Sequence, residues 1–108
     1  MNTESISFTE TESDRQRRLN ELVAENGPDW LDGFQPGSFG CHELLDRTSL
    51  LADQIEEWLM NHPSCLNQSD WFALAEQAAS ALRELYHRVG TAHVDAQNTE
   101  AEQVNGQA

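Results

Sequence analysis

Lysine is missing from this chain altogether: its six basic residues are all arginines, set against 19 acids, for a net charge of −13. Without lysine there is no phosphate-gripping loop lysine, no Schiff-base amine and no kinase-type ion pair. The charge balance also opposes approach to nucleic-acid phosphates and anionic lipid, because binding either draws on basic groups that release counterions. Direct nucleic-acid binding and membrane binding are therefore not expected. Cysteine is nearly as scarce. Cys41 and Cys65 fall at opposite ends of one expected helix, roughly 30 Å apart at 1.5 Å per residue, too far to bridge within a chain. No apolar run is long enough to span a bilayer, and the first residues offer neither a basic nor an apolar leader segment. The expectation is a soluble, cytoplasmic protein in a reducing compartment.

Large apolar residues are also scarce at both ends. Beyond Gly90 only Val94 and Val104 are large aliphatics, and the first dozen residues offer Met1, Ile6 and Phe8. A disordered arm over 1–12 and a disordered acidic tail over 91–108 are expected around a helical domain at 13–90. A short helix over about 14–26 is expected to start at Ser13, which has capping-box spacing to Gln16, and to stop at Asn26-Gly27-Pro28. Its apolar stripe is only Leu19, Leu22 and Val23. Residues 27–40 hold two of the three prolines and four of the six glycines among Trp30, Leu31, Phe34 and Phe39. They read as an ordered loop whose rings either cover the end of the core or form a partner's hot spot.

The chain's strongest pattern lies beyond that loop. Leu44, Thr48, Leu51, Ile55, Trp58 and His62 recur in steps of four and three, as do Trp71, Ala75, Ala78, Leu82, Leu85 and Val89. Such spacing keeps a seam on one side of a helix. The fold class expected is all-α: an antiparallel helical hairpin of about 40–62 and 69–89, the first helix ending ahead of Pro63 and the second at Gly90. Glu43 with Arg47, and Glu84 with Arg88, have the spacing of exposed helical ion pairs. Further apolar residues, Leu45, Ala52 and Leu59 on one helix and Phe72, Leu74, Ala79 and Tyr86 on the other, exceed what a two-helix contact hides. The first helix, the aromatic loop or another chain must cover them, and a homodimeric four-helix bundle is one way to do so.

No constellation points firmly to catalysis. Cys41-His42-Glu43 stands at a helix start, where thiols are activated, but neighbours on a helix diverge by about 100° and do not pair. His42 and Asp46, with His87, His93 and Cys41, are acceptable ligand types, as are His62 and Cys65. None has paired short-spacing ligands, and the His-Glu-Leu-Leu-Asp run ends in Asp where a zinc helix needs a second His. No catalytic residue, metal or cofactor is assigned. The expected function is a non-catalytic protein–protein interaction module binding a protein partner through Leu45, Leu59, Phe72 and Tyr86, with Trp30 and Phe34 nearby. The alternative is an acidic mimic of nucleic acid that inhibits a nucleic-acid-binding protein, using a face of Asp46, Asp53, Glu56 and Glu57.

Overall fold

The structure, a computed structural model, describes the backbone of residues 3–106 and the side chains of residues 8–99. Among these there are helices and turns and no strand. The chain divides into two compact units, Met1–Asp32 and Gly33–Ala108.

The first unit is helix α1, Thr3–Asn26, followed by the start of a 3-10 helix, Pro28–Phe34. The boundary expected at Ser13 is overrun: Ser13 lies inside α1 and caps nothing. No glycine or proline interrupts 3–26, and acids and arginines meet at three- and four-residue spacing along it. Glu12 pairs with Arg15 and takes a bond from Gln16 at 3.3 Å, Asp14 takes bonds from Arg17 at 2.6 Å and Arg18 at 2.8 Å, and Arg17 reaches Glu21 at 3.0 Å. Such exposed pairs stabilise a helix by a few tenths of a kcal/mol each, so a ladder of them extends one that lacks apolar content. The stop comes where the sequence places it. Gly27 adopts φ +92° and its N–H reaches the Val23 carbonyl at 2.8 Å. Pro28 then opens the 3-10 helix, with the Trp30 N–H bonded to the Gly27 carbonyl at 3.3 Å, where the sequence suggested an ordered loop.

The second unit is the hairpin. Helix α2, Phe39–Gln54, is capped by Ser38, whose Oγ accepts the Cys41 N–H at 3.2 Å. It continues without a break into a π turn, Ile55–Met60, marked by the bond from the Asn61 N–H to the Glu56 carbonyl at 3.2 Å. A single turn, α3 at Pro63–Leu66, is capped by His62 Nδ1 on the Ser64 N–H at 3.1 Å. Helix α4, Ser69–Gly106, returns along α2. The antiparallel register is visible in three ties: Glu56 with Arg83 at 2.9 Å, Leu45 against Gly90, and Gly37 against His93 and Ala96.

The helix end expected at Gly90 is also overrun. Gly90 stands where an added Cβ would lie 3.6 Å from Leu45 Cδ2, so it packs rather than caps. The chain beyond it is held in the fold by His93, buried at 5 % exposure, whose Nδ1 accepts the Gly37 N–H at 2.9 Å. Gly37 itself has φ +90°, and a Cβ there would meet that of Ala96 at 3.2 Å. Residues 1, 2, 107 and 108, which belong to the expected arm and tail, lie outside the described residues.

Two outcomes follow. Bonds from Arg15 and then Gln16 hold the Glu12 carboxyl at a pKa of about 2 instead of 4.5. The charged form is favoured, so what this pair adds to α1 is present above pH 4.5 and lost as pH falls through about 2. Carboxyl NMR titration should show that midpoint, and Arg15→Ala should move it back towards 4.5. Gly37→Ala combines a left-handed backbone with a tight Cβ and should lower stability by about 1–2 kcal/mol in urea unfolding.

Candidate interaction surface

The hairpin closes on its small side chains. On α2 the buried residues are Cys41, Leu45, Thr48 and Ala52, and on α4 they are Ala79, at 0 % exposure, and His93. Phe72, Ala75, Leu82, Val89 and Gly90 are half-buried. Small groups let two helix axes approach closely, and Leu45 settles against Gly90. The one hydroxyl in this seam, Thr48 Oγ1, is satisfied by donating to the Leu44 carbonyl at 2.7 Å.

The observed seam shares Thr48, Ile55, Ala75, Leu82 and Val89 with the one expected from the spacing, but its centre is displaced. On both helices the inward face is turned by roughly 60° from the expected one, at 100° per residue. Leu45, Ala52, Phe72 and Ala79, expected as leftover, face inward; Leu44, Leu51, Trp58, Trp71 and Leu85, expected as seam, are exposed. Four- and three-residue steps define a stripe but not which of two neighbouring stripes turns inward. The π turn adds a further shift. Its wider turn slows the rotation per residue, so Leu59, rather than Trp58, reaches the groove described next.

The displaced residues share one side of the hairpin. Glu56, Arg83, Leu45 and Gly90 mark one edge of the contact; by helix geometry the stripes 44-47-51-54-58 and 71-74-78-81-85 both lie on the other edge. Trp58 is 64 % exposed, Trp71 57 % and Leu74 65 %. At the closed end of the hairpin this side forms an apolar groove of about 550 Å³, lined chiefly by Leu59, Trp71, Leu74, Ala75 and Ala78, with His62 and Cys65 at its rim.

The residues nominated from sequence are therefore separated. Leu45 is buried and Phe72 half-buried in the hairpin. Leu59 stays exposed in the groove. Tyr86 is exposed in a different hollow, of about 440 Å³, on the Leu45 and Gly90 edge with His87 and Val94. Phe34 lies over Gly40, where no Cβ would fit, beside Cys41, Leu44 and Arg47. Trp30 belongs to the first unit and is partly exposed. The sequence reading missed Trp71 and Leu51 as surface residues and had Leu74 among the apolar residues beyond the seam. No local signal separates the two neighbouring stripes, because both carry apolar residues at the same spacing.

The acidic residues are not one free face. Glu56 is tied to Arg83, Asp46 stands 3.6 Å from His42 Nε2, and Asp53 and Glu57 are exposed. The histidines also have other work. His93 Nδ1 and His62 Nδ1 accept main-chain N–H groups, and the His42 and His93 rings lie 5.7 Å apart, tilted by 38°. Among the described residues no three His, Cys, Asp or Glu side chains are placed to hold a metal ion, and no helix is long and apolar enough to cross a membrane. Both cysteines are free thiols, Cys41 buried.

His93→Ala should leave the Gly37 N–H without its partner and lower stability by about 1–3 kcal/mol, with hydrogen exchange at Gly37 accelerated. Comparison with protein-family models, with curated proteins and with solved structures gave no match.

Proposed function

We propose that this chain is a non-catalytic helical module that acts by binding a protein partner, and that the binding surface is the exposed apolar side of its hairpin. The observation that carries the reading is the exposure of Trp71, Leu74 and Leu59 around one groove, on a hairpin whose own contact is made of small residues. Aromatic and aliphatic side chains set along a helix and flanking a groove are the usual anchors of helical recognition, and Trp is enriched at interface hot spots. An apolar face of this extent on a chain of net charge −13 also reconciles solubility with binding, since the acids supply the first and the groove the second.

The acidic-mimic reading uses other residues, so salt and mutation separate the two. Capture of the partner by tagged protein should persist at about 0.5 M salt, where charge attraction between exposed groups is screened within about 4–5 Å. Leu59→Asp and Leu74→Asp should each weaken capture about tenfold or more, while replacing Asp53, Glu56 and Glu57 by Asn and Gln should change it little. Capture that ignores Leu59→Asp, collapses on neutralisation and falls steeply with salt would transfer the function to the acidic residues.

A further inference from the structure

Resting on that surface, the structure points to its occupant: we propose that a second copy of this chain covers it, two hairpins joining through the stripes 44–58 and 71–85 into a two-fold four-helix bundle. Three observations support a second copy over an unlike partner.

The first is area. Leu44, Leu51, Trp58, Leu59, Trp71, Leu74 and Leu85 are each 41–65 % exposed. Taking about 250 Å² for a whole Trp and about 170 Å² for a whole Leu, they offer on the order of 700 Å² per chain, or on the order of 1,400 Å² for two. That falls within the range of a specific, stable interface. The hairpin's own core is small: it rests on Cys41, Leu45, Ala52 and Ala79, and no large side chain in the described residues is fully buried. Pairing hairpins supplies the missing interior, because a four-helix bundle encloses the side chains that two helices leave outside.

The second observation is self-complementarity. A two-fold interface uses the same patch twice, so the patch must contain both the projections and the hollows that receive them. Here Trp71 and Leu74 project, and Ala75 and Ala78 floor the groove beside them. With the axis near Ala78, the Trp71 and Leu74 of each copy fill the other's groove.

The third is charge. An unlike partner chosen by electrostatics would need charge within the patch, and the two stripes carry almost none. Arg47 is the one charged residue in the two stripes, and it is neutralised by Glu43 at 2.9 Å. The acids responsible for the net charge lie elsewhere, as the cores of interfaces, which are depleted of charged residues, require.

Sedimentation equilibrium of the full chain between about 1 and 100 μM in about 0.5 M salt tests this, together with isotope-filtered NOEs in a mixed labelled and unlabelled sample. The expected mass is twice the 12.2 kDa of one chain, with contacts from the Trp71 indole to leucine methyls of the other copy. Ala78→Glu is the decisive variant, because Ala78 is exposed in α4 and Glu is a good helix former, so the single chain keeps its fold. It should raise the dissociation constant about thirtyfold or more at unchanged helical circular dichroism, and Leu74→Asp should do the same. A wild type that remains monomeric throughout, an Ala78→Glu that dimerises like wild type, or inter-chain contacts that avoid Trp71 would each overturn the proposal. The two readings fail separately. A monomeric wild type whose partner capture is still lost on Leu59→Asp removes the second copy and leaves the interaction surface, whereas one whose capture ignores Leu59→Asp removes both.

Discussion

The close approach of α2 and α4 through small side chains is the constraint from which the rest of the hairpin follows. Thr48 and Ala52 on one helix and Ala79 and Gly90 on the other are small, and Leu45 is the one large aliphatic among the described residues buried there, next to Gly90. A contact of this kind is tight but thin. Burying a single leucine contributes about 1.5–3 kcal/mol, and alanines far less. The larger hydrophobic groups, which hold most of the transferable area, are left on the outside edge. A hairpin built this way is stable to the extent that something covers that edge, and its placement beside a groove floored by Ala75 and Ala78 makes the covering specific rather than merely greasy.

Polar ties compensate at the far end of the hairpin. The segment before α2 is fastened to α4 by the Gly37 N–H and His93 Nδ1, with Gly37 close enough to Ala96 that only glycine is unstrained there. That tie uses Nδ1 of His93 as an acceptor inside the fold, with its ring 5.7 Å from that of His42. Just past Gly90, His93 and Ala96 of α4 anchor the turn into α2.

Within the hairpin, acids of α2 engage arginines in their own helix or across the contact, as Glu43 and Glu56 do, while Trp58, Trp71, Leu74 and Leu85 lie exposed along one edge. Along α1, Glu12 and Asp14 engage arginines of the same helix. The exposed ion pairs each add only a few tenths of a kcal/mol, so they extend helices rather than hold the hairpin together.

Much of this was legible in the chain before any coordinates. Helical class, the Gly27-Pro28 stop, the turn ahead of Pro63, the antiparallel return, and the Glu43–Arg47 and Glu84–Arg88 pairs all follow from local chemistry, because φ-restricted residues and four-residue spacing act within a few positions. Helix limits at Ser13 and Gly90 did not follow. The first depended on a ladder of ion pairs that competes with a cap, and the second on whether a glycine meets solvent or a leucine from another helix. Which stripe faces inward was likewise decided only by the fold. Leu44 and Leu45 are adjacent in sequence and equal in hydrophobicity, so periodicity cannot choose between them; the choice falls to the sizes of residues on the opposing helix, Ala79 and Gly90, which meet α2 only once the hairpin has closed. The sequence by itself determined that greasy stripes exist and how they are spaced, and the tertiary structure decided which of them is spent inside and which stays on the surface.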